Sequence, residues 1–378
     1  YYFLVPSKTK EISHYLDWMK INEIFPVNSV GIVTSRDNFV IDDDKQNLQR
    51  KLDHFKNLSL PDELIEKTYR LKNTKYWHIS EARKNLANVD TNNFIYKILY
   101  RPFDVRYIIY HPALIERMLY KTMRHMLKEN LALCTVRQVK TGDRWQHCLV
   151  SDKIIKSCYV SNRTSEICTL FPLYLYTDKE NNGLYNSLEP EREPNISPSI
   201  FLKIRETYGS DIRAEEVLYY IYAILYCNTY RKTYFDFLRS DFPRIPFTAD
   251  GELFQQMAEL GKRLVDLHLL RSPEIEQPIA RFEGQGEDLT ITTPKYDPKT
   301  NRVWINPTHY LEGIPPEVWH YQIGGYQVLD KYLKERKGRS LEDPRHILRV
   351  ATALAKTIEI QKEIDALYSQ VEENLITF

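Results

Sequence analysis

The side chains best suited to chemistry lie in one stretch, Asn93 to Val150. Near its end, in CTVRQVKTGDRWQHCLV, the residues Arg137, Gln138, Lys140, Arg144, Trp145 and Gln146 crowd around Gly142-Asp143. Arginine offers a fixed fork of donors, a glutamine amide sets a donor beside an acceptor, and lysine is a mobile point charge. From Arg101 to Val150 the cations are Arg101, Arg106, Arg117, Lys121, Arg124, Lys128, Arg137, Lys140 and Arg144. The anions are Asp104, Glu116, Glu129 and Asp143, so nine charges face four in a chain whose total is +1. A basic patch interleaved with aromatics fits phosphate tracking and the reading of base edges. Charge alone favours the plainer account, a solvated basic face.

Other chemistries find no complete set of residues. A methyl-transfer site needs a glycine-rich cofactor turn that leaves a strand and opens a helix. The one G-x-G, Gly284-Gln285-Gly286, follows Pro278 and precedes the β-like Leu289-Thr290-Ile291-Thr292, so it reads as a loop. Asn306-Pro307-Thr308-His309-Tyr310 has one residue too many before the aromatic for a target-amine motif, and reads as a turn. No P-loop is present. Pro61-Asp62 with Glu66-Lys67 imitates a nuclease motif, but both pieces fall on one predicted helix, where the carboxylates cannot share a magnesium ion. The ten histidines are scattered with no H-x-x-x-H pair, and His268, on an apolar helix face, reads as a satisfied core residue. The expectation is that this chain holds no complete active site, no metal and no cofactor.

The elements that must position the basic stretch follow from pattern. Phe94 to Tyr110 reads as strand–turn–strand, broken at Arg101-Pro102-Phe103-Asp104, where Pro102 removes a donor and keeps Arg101 from the helical region. Leu114 to Lys128 is expected to be a helix, from the spacing of Leu114, Met118, Leu119, Met123, Met126 and Leu127. Leu131–Val136 and Cys148–Val150 read as a hairpin with the cationic residues at its tip. Before it come an expected strand at Tyr1–Pro6, a helix at Ile12–Ile24, a strand at Val30–Val33 and a Thr34-Ser35-Arg36-Asp37 turn. Helices are expected at Leu48–Phe55, Asp62–Arg70 and Trp77–Leu86, the last capped by Ser80. After the hairpin, Ser157–Tyr176 is strand-rich and Thr177–Pro198 reads as a linker. Ala214–Ser240 reads as two helices split near Asn228-Thr229, with Asp211 as cap. Asp241–Phe247 follows as a stiff extended link, Gly251–Leu270 as an amphipathic helix and Arg281–Ile305 as a hairpin. Trp319–Ile323 reads as a strand broken by Gly324-Gly325, then Tyr326–Arg336 and Pro344–Glu373 as closing helices.

At 378 residues the chain holds two domains or one elaborated domain. Its 27 tyrosines suit sheets and wet interfaces. No run nears the roughly 18 apolar residues of a membrane span, and no signal peptide is visible. Five cysteines without a C-x-x-C pair argue for a reducing cytoplasm. The chain opens on Tyr1, not Met, and is expected to continue a longer polypeptide.

Motifs spread along the chain resemble the C-terminal specificity domain of Type ISP restriction–modification enzymes and related single-polypeptide enzymes. They are Tyr2-Phe3, Glu23-Ile24-Phe25, Gly31-Ile32-Val33-Thr34-Ser35-Arg36-Asp37, Tyr100-Arg101-Pro102-Phe103-Asp104-Val105-Arg106 with Tyr110, and Asn130-Leu131-Ala132-Leu133 with Arg137-Gln138. Further on come Phe171-Pro172-Leu173-Tyr174-Leu175-Tyr176, Tyr230-Arg231 with Tyr234 to Leu238, Phe242 to Phe247, Leu267 to Leu270 and Gly324 to Leu329.

The resemblance implies duplex DNA as ligand. It implies an upstream N6-adenine methyltransferase domain in the same polypeptide, where S-adenosylmethionine binds, and catalytic motifs outside this chain. The expected fold is α+β: a mixed sheet-and-helix recognition module over residues 1–176, a linker over 177–198, and a helix-rich bracing part with a small C-terminal hairpin over 199–378. Arg137, Gln138, Lys140 and Arg144 are expected at base edges, and Lys121, Arg124, Arg163 and Arg36 at phosphates. Asp104 and Arg106 are expected to pair across their turn, leaving the fold and not the ligand as their business. Two other classes stay open: a self-contained nuclease or transferase, and a protein-interaction scaffold.

Overall fold

The computed structural model describes residues 14–163, 166–177 and 191–378. The expected strand at Tyr1–Pro6 lies outside them, as do Ile12, Ser13 and most of the expected linker.

The fold is mixed α+β, with several small sheets set against a helical layer. One four-stranded antiparallel sheet has the order Ser29–Val30, Cys168–Pro172, Ala132–Val136, Cys148–Ser151. Every residue of its last three strands is buried, which is why they read as continuous apolar runs. A second sheet has the order Ile41–Asp42, Asp104–Ile109, Ile95–Arg101, Ile154–Ile155, with only the final pair parallel. The Arg101–Asp104 turn fell where the proline required it, and Phe103 adopts φ 59° there. A third sheet orders Arg281–Gly284, His309–Glu312, Arg302–Trp304 and Lys295–Asp297. The expected 281–305 hairpin is therefore only its Lys295–Trp304 half, because Arg281–Gly284 pairs with the later His309–Glu312 strand.

The Ala214–Tyr226 helix is apolar almost all round and buried accordingly. The Gly251–His268 helix crosses it so closely that a Cβ on Gly261 would sit 1.9 Å from the Tyr219 carbonyl oxygen. Asp250 caps that helix by accepting from Glu252 N and Leu253 N, and Asp343 and Pro344 open the long Pro344–Val371 helix. Tyr226 OH donates to the Cys148 carbonyl at 3.0 Å, tying the helical layer to the first sheet. His268 is buried, with Tyr222 OH at 2.6 Å from Nδ1 and Thr357 Oγ1 at 2.9 Å from Nε2. One continuous apolar core joins all of this. No helix among the described residues is long and apolar enough to cross a membrane.

Several expectations are corrected. Leu114 to Lys128 is not one helix. Leu119 turns left-handed at φ 53°, only Tyr120–Met123 is α-helical, and Arg124–Leu127 tightens to a 3-10 turn. The preceding segment is drawn instead onto Val33, which exchanges backbone bonds with Arg117 at 3.2 and 2.9 Å. Its apolar residues follow helical spacing because the segment is buried, and burial alone does not set dihedrals. Likewise His14–Asp17, Met19–Lys20 and Ile21–Ile24 are three short pieces, because Met19–Lys20 pairs with Arg244–Ile245. Ser80 is not a cap: Ile79 N donates to Asn73 Oδ1. Nor is Asp211: Glu216 closes a capping box on Arg213. The Ala214–Ser240 helices break at Cys227, where Asp365 accepts from Asn228 N and Thr229 N. Pro316–Trp319 is helical, and only Gln322–Ile323 forms a strand, hairpinned through Gly324-Gly325 to Tyr326–Gln327.

Candidate nucleic-acid interface

Strands Ala132–Val136 and Cys148–Ser151 hold the two ends of the 137–147 loop, with Thr135 opposite Cys148. Two apolar side chains inside the loop, Val139 and Trp145, are buried at 2 % exposure each. Sinking them turns the residues between them outward. Arg137, Gln138, Lys140 and Arg144 are all exposed. Gly142, at φ +99°, makes the bend that a side chain resists.

The loop is gripped from several directions. Val139 N donates to the Arg239 carbonyl at 2.9 Å, and Arg239 Nη2 returns a bond to the Lys140 carbonyl at 3.1 Å. Arg163 Nη1 donates to Thr141 Oγ1 at 2.6 Å. Gly324 N donates to the Gln146 carbonyl at 2.8 Å, and Gln146 Nε2 donates to Gln322 Oε1 at 2.7 Å. Beneath it His147 Nε2 lies 3.1 Å from Glu166 Oε2, which also accepts from Ser161 Oγ at 2.5 Å. Burial would raise the Glu166 carboxyl, but these bonds hold it below the usual range.

Arg137 Nε lies 3.0 Å from Asp241 Oδ1, and Lys20 Nζ lies 3.0 Å from Asp241 Oδ2. Burial pushes Asp241 upward, yet the bonds from Lys20, Phe242 N and Arg137 leave it below its ordinary value. Arg137 keeps 67 % of its side chain exposed, so this surface pair is weakly held. Among the described residues Lys140 and Arg144 have no carboxylate partner, which leaves their charges free for a ligand.

The structure thus gathers Arg137, Gln138, Lys140, Arg144 and Arg163 on one surface. Lys121 is exposed on the separate Tyr120–Met123 helix, and half-buried Arg124 donates to the Lys121 carbonyl. Arg36 is a different case. It is buried with its guanidinium 3.9 Å from the Trp77 ring centroid, donating to the Leu114 carbonyl at 2.9 Å and to Glu116 at 3.3 Å. Spent on those partners, it braces the fold and leaves no donor at the surface for a phosphate.

Part of the basic excess is likewise internal. Asp104 accepts from Arg106 at 2.7 Å and from Arg336 at 2.6 Å, all three buried or nearly so. Burial alone would raise the Asp104 carboxyl, but the two guanidinium groups hold it well below the usual range. Sequence reasoning missed Arg239, Asp241, Lys20 and Gln322, which meet the loop from far along the chain. Nothing in their local sequence marks them.

No group of three His, Cys, Asp or Glu residues among the described residues is arranged to hold a metal. Gly284 ends a strand and opens no helix. Asn306 Oδ1 accepts from Thr308 N and His309 N, closing a turn.

The sequence model of the Type ISP C-terminal specificity domain matches residues 23–366. No curated protein matches the chain. Among solved structures, the ATP-dependent Type ISP restriction-modification enzyme LlaBIII bound to DNA superposes with a TM-score of 0.70 at 19 % identity, covering 93 % of this chain and 24 % of that one. A nuclease-deletion mutant of the Type ISP enzyme LlaGI with a DNA substrate mimic gives 0.64 at 21 % identity, over 93 % and 29 %. The DrdV–DNA complex gives 0.68 at 23 % identity, over 90 % and 36 %. The chain therefore spans about a quarter to a third of the length of these proteins.

Proposed function

This chain belongs to the Type ISP C-terminal specificity domain family, and we propose that it reads sequence in duplex DNA for a restriction–modification polypeptide. The observation that carries the reading is the 137–147 loop: two buried anchors, a surrounding clamp, and outward cations and amides of the types that address phosphates and base edges. In this reading Arg137, Gln138, Lys140 and Arg144 face bases. Arg163, Lys121 and Arg124 follow the backbone. Arg36 is left out.

Residues up to 176 carry the reading surface and residues 199–378 brace it, as the bonds from Arg239, Gln322 and Gly324 to the loop suggest. Adenine N6 methylation, with S-adenosylmethionine and base flipping, belongs to an upstream domain of the same polypeptide. The five free thiols favour a cytoplasmic setting.

The test is a salt titration of binding to mixed-sequence and selected duplexes by the intact polypeptide. A steep loss of affinity with salt, with selected sequences bound more tightly, is expected. Salt-independent binding overturns the reading in favour of a protein scaffold. Turnover of DNA by this chain alone, with magnesium or S-adenosylmethionine, overturns it in favour of a self-contained enzyme.

A further inference from the structure

Two glutamines from distant parts of the chain meet at the rim of the loop. Gln146 stands one residue after the Trp145 anchor, and exposed Gln322 lies on the short Gln322–Ile323 strand. Gln146 Nε2 donates to Gln322 Oε1 at 2.7 Å. Both are held from behind. The Gln146 carbonyl accepts from Gly324 N, and Gln322 pairs with Gln327, whose Nε2 donates to the Trp319 carbonyl at 2.7 Å. The turn joining these strands is wedged into the fold. A Cβ at Gly324 (φ +57°) would lie 1.9 Å from the Val160 carbonyl oxygen, and one at Gly325 would lie 2.6 Å from Ser161 Oγ. Only glycine lets this hairpin come near enough for Gln322 to reach the loop.

Joining two amides this way has a chemical consequence. Each amide carries one C=O and one NH2. With one donor and one acceptor spent on each other, the Gln146 carbonyl and the Gln322 NH2 remain. Turning both amides over exchanges the roles but still leaves one acceptor and one donor. In the major groove adenine alone among the purines presents that complement, an N6 donor beside the N7 acceptor, whereas guanine presents two acceptors. The hydrogen bond also fixes both rotamers before any ligand arrives, which lowers the entropy cost of binding.

We propose that Gln146 and Gln322 together select an adenine in the target, so that residues from the C-terminal part help determine specificity as well as brace the loop. This rests on the DNA-reading function proposed above.

The experiment is selection from a randomised duplex library by the intact polypeptide, as wild type, Gln322→Ala and Gln146→Ala. The wild-type consensus is expected to hold an A·T position that loses about tenfold or more of its preference in each variant, at the same position in both. Binding of mixed-sequence DNA at low salt stays near wild type. Gln322 is exposed, so its variant carries the test even where Gln146→Ala fails to fold. A consensus whose positions all weaken equally in Gln322→Ala, or one that relaxes only at a G·C pair, overturns the proposal and leaves the DNA-reading function standing. The absence of any wild-type consensus overturns that function as well.

Discussion

Replacing Lys140 and Arg144 together by alanine tests whether the loop meets DNA at all. Both side chains are exposed and, among the described residues, neither is matched by a carboxylate. Each therefore displaces condensed counterions in full when it docks, and the slope of log affinity against log salt should flatten by about 0.9 for each, or about 1.8 in all. Between 50 and 200 mM salt a fourfold change acts on that slope difference, so the deficit of the variant should shrink by about twelvefold. Arg137 is a weaker probe of the same effect, since its charge is already shared with Asp241 at 3.0 Å. The assay is fluorescence anisotropy with a labelled duplex, repeated across the salt range, with a melting curve as control. Two exposed substitutions should change stability by no more than about 0.5 kcal/mol. An unchanged slope with an unchanged melting temperature would refute the placement of DNA on this loop.

Arg137→Ala should relax one base position by about 1–3 kcal/mol of discrimination, whereas Lys121→Ala should weaken all sequences alike; a uniform loss for Arg137→Ala on a duplex panel would show that it does not read a base. Asp104→Asn leaves the Arg106 and Arg336 guanidinium groups without their buried counter-charge, and should cost about 3–5 kcal/mol in urea unfolding. The Asp104 carboxyl is held below its ordinary value of 3.8, so its contribution is complete above that pH and is lost as pH falls through the lower folded value. His268 acts at milder pH. Burial, aided by the charge of Arg231, lowers it from 6.5 to about 3, so the unfolded chain takes up a proton that the folded chain refuses. Its stabilisation is intact above pH 6.5 and falls by about 2 kcal/mol by pH 5. His268→Gln should remove that component, and unfolding at pH 7.5 and pH 5 measures it.

What sequence alone could determine was local. Pro102 fixed the turn between Ile95–Arg101 and Asp104–Ile109, and continuous apolar runs marked the strands on either side of the loop, because strand and turn preferences act over a few residues. The same locality shows that Arg137, Gln138, Lys140 and Arg144 share one loop, since they are neighbours in the chain. It fails where burial and backbone form part company. Leu114 to Leu127 carries helical spacing, yet pairing with Val33 and a left-handed Leu119 break it. It fails again for charge: Arg36, Arg101 and Arg106 look like surface cations in sequence and are buried in ion pairs and ring contacts. Only the tertiary structure brings Arg239, Asp241 and Gln322 to the loop from roughly a hundred residues or more along the chain. A hydrogen bond depends on distance in space, and separation along the chain carries no record of it.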